Sequence, residues 1–323
     1  MKRNIINLLV MVVLIFFTIQ ILLTSSEVMS AVEFSFSIWK NSIFPSLFPF
    51  FVISQVLVNY GFVELVSELF KPFMNKVFKV SGSSAYVFIM SLISGFPSSA
   101  KYVREIYKKG LIDEKEGTKI LMFTHFSNPL FILGTISLTF LNNKEVGLLI
   151  LLSHYVSNLI IGLIFRNLYP NKNEKCKFSL KNSLYKMNEA RNKSSKNFGE
   201  ILSSSIIDTI NTLLLILGTV TIFLIITTII DKIINISPYY QAILNGIVEM
   251  TQGLKYISIL DIPLKLKTIV SVMFISFGGI SVHTQIISIL SDTKIKYLPF
   301  LLARILHALI SGILVFILFE WWF

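Results

Sequence analysis

The sequence predicts an all-α, polytopic transmembrane protein with broken helices and re-entrant hairpins, and three observations lead there. Charge-free apolar runs recur at 4–26, 41–63, 80–100, 120–143, 146–165, 209–230 and 268–291, with a shorter one at 305–319. The first seven are each about 20 residues or longer, roughly what a helix needs to cross ~30 Å of hydrocarbon. Charged residues make up only 15% of the chain against 54% apolar, with a mean hydropathy of +0.72, whereas soluble domains carry about a quarter charged residues. Finally, several runs contain residues that stop helices. At membrane depth such stops strand N–H and C=O groups that lipid cannot satisfy, so they survive only against protein or a polar cavity.

Composition excludes several classes. The net charge of +11 sits in loops between the runs, where orientation control accounts for it, so no nucleic-acid partner is expected. The single cysteine, Cys176, makes no intrachain disulfide or metal cluster. There is no Walker motif, no His/acid cluster with metal-ligand spacing and no nucleophile elbow, so neither enzyme chemistry nor a cofactor is expected.

The first run follows Met1-Lys2-Arg3. Its apolar part is too long for a signal-peptide core and no small-x-small site follows, so it reads as a retained first helix. The segment 101–119 holds six Lys/Arg and 166–200 holds nine against three acids; both belong in the cytoplasm. Full crossing by runs 1 to 3 would put 101–119 outside. Run 2, with Pro45 and Pro49 behind Asn41 and Ser42, resolves the conflict if it is a re-entrant hairpin, which places 64–79 outside. A first run that does not span is the alternative. The basic segment 166–200 divides an N-terminal membrane half, 1–165, from a C-terminal one, 201–323. The second half suggests an inverted repeat, with 201–230 as its re-entrant segment and a polar amphipathic stretch at 238–256. Paired interruptions in two halves are the best sequence pointer to a transporter's binding site.

Four constellations are candidates for that site. In Ser94-Gly95-Phe96-Pro97-Ser98-Ser99-Ala100-Lys101, Gly95 and Pro97 stop one helix and Ser98 or Ser99 can cap the next. A restarted helix offers free N–H groups to an anion, with Lys101 adding charge. The plain reading is a helix end whose lysine reaches water. In Thr124-His125-Phe126-Ser127-Asn128-Pro129, a proline kink lies beside three polar residues, His125, Ser127 and Asn128, which either cap the kink or also meet substrate. In Gly278-Gly279-Ile280-Ser281-Val282-His283-Thr284-Gln285, the glycines allow an unwound turn or a close helix contact, with Ser281, His283 and Gln285 just beyond. Glu249 either couples Na⁺ or H⁺ to transport or faces water from an interfacial helix. Arg304 and His307, one turn apart, either pair within the protein or snorkel. His154 with Asn158 reads as interhelical hydrogen bonding.

Residues 94–101, Ser127-Asn128-Pro129-Leu130-Phe131 and residues 277–285, together with Ile38-Trp39-Lys40-Asn41-Ser42-Ile43-Phe44-Pro45-Ser46-Leu47-Phe48-Pro49-Phe50-Phe51, resemble the YlbJ family over about 38–310. That family comprises sporulation membrane proteins of endospore formers with nucleoside-recognition (gate) domains. It departs at Ser98, Ser99 and His125, where members more often carry Gly or Ala and Asn. The resemblance implies movement of dipicolinic acid across the outer forespore membrane, and a distant similarity to concentrative nucleoside transporters. The expected partners are then the lipid bilayer, a small anionic substrate and a coupling ion, Na⁺ or H⁺. Helix N-termini would take the carboxylates, and Phe96 or Phe126 the ring. A transporter of nucleosides or other cyclic metabolites, and a non-transporting scaffold for spore-envelope assembly, are the alternatives.

Overall fold

In a computed structural model of the chain, residues 2–170, 179–193, 195–234 and 236–323 are described. Met1 and Cys176 lie outside them. Every regular element among them is helical. Six helices are long and apolar enough to cross a membrane: Ile5–Leu23, Ser25–Asn59, Lys144–Ile164, Phe198–Ile233, Leu264–Leu290 and Tyr297–Trp322. The polytopic all-α expectation therefore holds.

After α1 (Lys2–Leu23), α2 (Ser25–Ile38) passes through a wide turn at Trp39–Ile43 into α3 (Phe44–Asn59). The hairpin expected in run 2 is not there: Ser25–Asn59 is one 35-residue helix, about 52 Å at 1.5 Å per residue. Pro45 falls in the first turn of α3, just after the wide turn, and removes one donor there. Pro49 lies inside the helix and removes one donor without reversing the chain.

The hairpin forms instead at run 3. Helix α4 (Phe62–Phe78) leads to α5 (Ser84–Ser94) and α6 (Ser98–Lys108). These two run antiparallel, with the Tyr86 and Tyr102 rings 5.3 Å apart. Both arms end on the face that carries the basic loops. There Lys119 donates to Lys79 O at 3.0 Å and Arg166 O at 2.7 Å. The Glu116 carboxylate accepts from Ser81 N and Ser84 Oγ at 2.6 and 2.7 Å. Helix α4 packs on α9 (Leu180–Asn192) of the basic linker, with Glu68 bonded to Asn182 at 2.9 Å and paired with Lys186. So 64–79 lies on the same face as the basic segments, not opposite them. A full crossing by run 2 and a hairpin at run 3 satisfy the basic-loop rule just as well.

The next helix is broken: α7 (Glu114–Phe123) gives way to extended chain, then to a wide-turned helix, Phe131–Phe140. Helix α8 (Lys144–Ile164) returns to the basic face, since Arg166 meets Lys119 there. The second half repeats this order from the other side. Helix α10 (Phe198–Ile233) runs antiparallel to α2–α3, with Lys232 paired to Glu27 and Trp39 Nε1 donating to Leu213 O at 2.9 Å. The re-entrant segment expected at 201–230 is thus an unbroken helix. Helices α11 (Pro238–Val248) and α12 (Met250–Ile259) form the second hairpin, in the stretch read as amphipathic. A Cβ on Gly253 would stand 2.2 Å from Gly246 Cα, so only glycine allows the arms this close. Asp231 of α10 ties both arms down, accepting from Gln241, from Asn245 at 3.1 Å and from Tyr256 at 3.1 Å. Helices α13 (Leu264–Phe277) and α14 (Gly279–Leu290) form the second broken helix, and α15 (Tyr297–Trp322) closes the bundle.

At the basic face Arg104 and Lys108 of the first hairpin clasp Asp292, with Arg104 Nε to Asp292 Oδ1 at 2.7 Å. The Arg104 guanidinium, then Lys108, holds the Asp292 carboxyl well below the usual carboxylate range. A depressed carboxyl contributes stability above its unfolded pKa of about 4 and loses it as pH falls through the folded value. Asp292→Asn is expected to lower Tm slightly at pH 7. Melting curves of both proteins should converge as pH drops below that range.

Candidate functional site

The two hairpin tips and the two helix breaks meet at one cavity. Its volume is about 40 Å³. Phe96 and Pro97 line it from the first tip, and Glu249, Met250 and Thr251 from the second. Ser127, Asn128 and Phe131 come from the first break, Val282 and Gln285 from beyond the second. Ile43, Ser46 and Leu47 on the wide turn and α3, with Ile216 and Val220 on α10, complete the wall.

The first tip turns at Gly95, whose φ of +76° favours glycine and whose Cβ would lie 2.5 Å from Asn128 N. Ser94 Oγ donates to Met90 O at 2.6 Å and lies within 3.0 Å of both Ser98 Oγ and Tyr102 OH. Tyr102 OH passes this chain to Ser54 Oγ of α3 at 2.9 Å. Ser94 and Ser98 therefore bind the hairpin together rather than lining the cavity. The expected serine cap of α6 does not form: Ser98 Oγ turns back to Gly95 O, and Ser99 Oγ has no partner. Lys101 points away, its Nζ 3.1 Å from Thr212 Oγ1 of α10.

At the first break the Asn128 amide is fully committed. Nδ2 donates to Ser46 O at 3.2 Å and Ile93 O at 3.0 Å; Oδ1 accepts from Leu130 N at 2.8 Å and Phe131 N at 3.3 Å. Ser127 Oγ is buried without a partner. His125 is stacked on Phe96 at 4.7 Å and edge-on to Phe300 at 5.2 Å, with neither ring nitrogen bonded. At the second break Gly278 and Gly279 adopt φ of +93° and +69°. Ser281 Oγ donates to Glu249 Oε1 at 3.4 Å. Gln285, 2% exposed, faces the cavity.

Glu249 is no interfacial residue. It is fully buried at the tip of the second hairpin. There it caps α12, Oε2 accepting from Thr251 N at 2.7 Å and Gln252 N at 3.0 Å.

Behind the cavity lies a second polar layer, where hydrogen-bond logic fixes three histidine tautomers. His154 Nε2 accepts from Ser127 N at 2.8 Å, so Nδ1–H donates to Ser276 Oγ at 2.9 Å. His307 Nε2–H donates to His154 O at 2.8 Å, leaving Nδ1 to accept from Arg304 Nη1 at 2.7 Å. His283 Nε2–H donates to Phe277 O at 3.0 Å and Nδ1 accepts from Tyr297 OH at 2.9 Å. Arg304 is 0% exposed and does not snorkel. Its guanidinium reaches Met122 O, His125 O at 3.3 Å and Asn158 Oδ1 at 3.0 Å.

Of the residues singled out from sequence, Phe96, Pro97, Ser127, Asn128, Glu249 and Gln285 line the cavity, and Phe126 does not. Ser94, Gly95, Ser98, Ser99, Lys101, His125, Gly278, Gly279, Ser281 and His283 are not on its wall. Ser46 was missed, and Thr251 was seen only as a neighbour of Glu249. Ser46 sits between two prolines that pointed to a hairpin. Ile216 and Val220 carry no signal at all, being apolar in an apolar run.

Two comparisons bear on this arrangement. The Gate family, described as nucleoside recognition, matches residues 42–144. The sporulation integral membrane protein YlbJ of Bacillus subtilis (strain 168) is 31% identical over 313 residues, covering 88% of this chain and 76% of that protein. The chain belongs to the YlbJ family. The YlbJ-family motifs quoted from the sequence fall at the first hairpin tip, at both helix breaks and on the wide turn leading into α3. No solved structure matches.

Proposed function

We propose that this YlbJ-family protein is a secondary transporter or facilitator for a small planar metabolite, acting in sporulation. The observation that carries the reading is the meeting of two hairpin tips and two helix breaks, approached from opposite faces, at one cavity. Broken elements at such a point supply polar backbone and side chains at membrane depth, and tilting one hairpin at a time opens the cavity to one side. A scaffold has no need of such a cavity. Dipicolinate is the substrate the family resemblance implies, and the outer forespore membrane the location. Phe96, Phe131 and Met250 suit an aromatic ring; Ser127 and Gln285 suit its polar edge.

A second reading, a neutral cyclic metabolite such as a nucleoside, is favoured by a specific feature. The cavity wall carries no Lys or Arg among the described residues, and it carries Glu249. Melting curves of the purified chain with dipicolinate or uridine separate the two. A ligand at 100 times its Kd stabilises by about 2.7 kcal/mol, so dipicolinate is expected to raise Tm by several degrees. Stabilisation by uridine alone would transfer the assignment to the second reading.

A further inference from the structure

Glu249 is the one ionisable residue on the cavity wall among the described residues. Its two oxygens are treated differently. Oε2 is saturated by Thr251 N, Thr251 Oγ1 and Gln252 N. Oε1 has only the 3.4 Å contact with Ser281 Oγ. No cation pairs with it among the described residues.

Among the described residues, none of the charged or titratable groups on the packed elements bonds to Glu249. On α14, His283 spends both nitrogens on Phe277 O and Tyr297 OH. Across the second break, His125 is wedged between the rings of Phe96 and Phe300. On α10, Asp231 is held by the second hairpin's arms and Lys232 by Glu27. On α12, Lys255 lies over the Phe34 ring at 3.8 Å. On the first hairpin, Lys101 is turned to Thr212.

A lone carboxylate in such surroundings needs its charge neutralised. A metal cation takes several oxygens around it, and of the Glu249 carboxylate only Oε1 is free. A proton needs that one position and leaves all three Oε2 bonds in place. Protonated, Oε1–H can donate to Ser281 Oγ or to a ligand in the cavity; ionised, it accepts from Ser281. Both states keep their hydrogen bonds, which suits a group that must alternate between them.

We propose that Glu249 is the proton-carrying group of this protein, so that substrate and one proton cross together. This rests on the transport reading above. The proton passes from water on one side to Oε1 and returns to water on the other when the cavity opens there; no other bond changes. The protonated acid also turns a repulsive neighbour of a substrate carboxylate into a hydrogen-bond donor.

The test uses the full chain in liposomes at zero membrane potential, with dipicolinate and uridine as probes. With one proton carried per substrate and no membrane potential, a pH difference of one unit sustains about tenfold accumulation of either probe, since both are the same free energy. Wild type is expected to approach that value. Glu249→Gln keeps an acceptor for Thr251 N and Gln252 N but holds no proton, and is expected to lose accumulation, with any remaining exchange independent of pH. Accumulation by Glu249→Gln equal to wild type, or accumulation that follows a Na⁺ gradient instead, overturns the proposal. Wild type that exchanges neither probe removes the transport reading itself.

A second measurement is independent of transport. The infrared spectrum of the purified wild type should show a protonated-carboxyl C=O band that titrates and is missing in Glu249→Gln. Absence of any such band at every pH where the protein is folded overturns the proton assignment.

Discussion

Arg304→Leu is expected to destabilise the protein by roughly 2–5 kcal/mol, because several buried acceptors lose their donor at once. The guanidinium joins three helices. It holds Met122 O at the end of α7, His125 O in the break, Asn158 Oδ1 on α8 and His307 Nδ1 on its own α15. No carboxylate pairs with it among the described residues. What makes the charge tolerable is the broken helix itself: α7 stops at mid-depth, and its last carbonyls present the negative end of the helix dipole. Leucine would leave those acceptors buried without donors, and the break would lose what holds it open. Arg304→Lys keeps the charge but loses the planar fork, so it should fall between the two. Tm in detergent and the yield of folded protein measure this. An Arg304→Leu protein that melts within a degree of wild type would show that the break holds its shape without the guanidinium.

What the sequence made legible follows from what each residue does locally. Gly95, Pro97, Pro129 and the Gly278-Gly279 pair mark backbone that cannot continue as helix, and each lies at or beside a tip or break. Charge-free runs made the spans readable because apolar length alone decides them. What failed was the direction of the chain after an interruption. Pro45 and Pro49 remove donors just as Pro97 does, yet the first pair sits inside a continuous helix. The difference is that Pro45 follows a wide turn, while the first tip reverses at Gly95, against the Asn128 backbone 33 residues later. That contact is long-range and has no local signature. The second hairpin was hidden for another reason. Its tip is a glutamate that caps its own helix, and its arms meet through Gly246 and Gly253, so no proline marks the turn and its polar residues read as an interfacial stretch.

Asn128→Leu is expected to cost about 2–4 kcal/mol, because two buried carbonyls lose their donor and the Leu130 and Phe131 N–H groups lose their acceptor. From sequence, Asn128 looked like a residue that orients substrate. Its amide instead joins α3, α5 and the start of the helix Phe131–Phe140, so it positions the cavity wall rather than reading what enters. Loss of stability and loss of ligand binding should therefore appear together. Asn128→Asp separates the two halves of the amide: it keeps the acceptor for Leu130 and Phe131 but sets a carboxylate against Ser46 O and Ile93 O. It should be destabilised as well, and should recover at low pH, where a protonated carboxyl again donates to one of the carbonyls. Melting curves against pH, with ligand binding measured on the same samples, decide the matter. If Asn128→Leu keeps the wild-type Tm and loses only binding, the amide contacts substrate directly, and its bonds to the three helices contribute little to the fold.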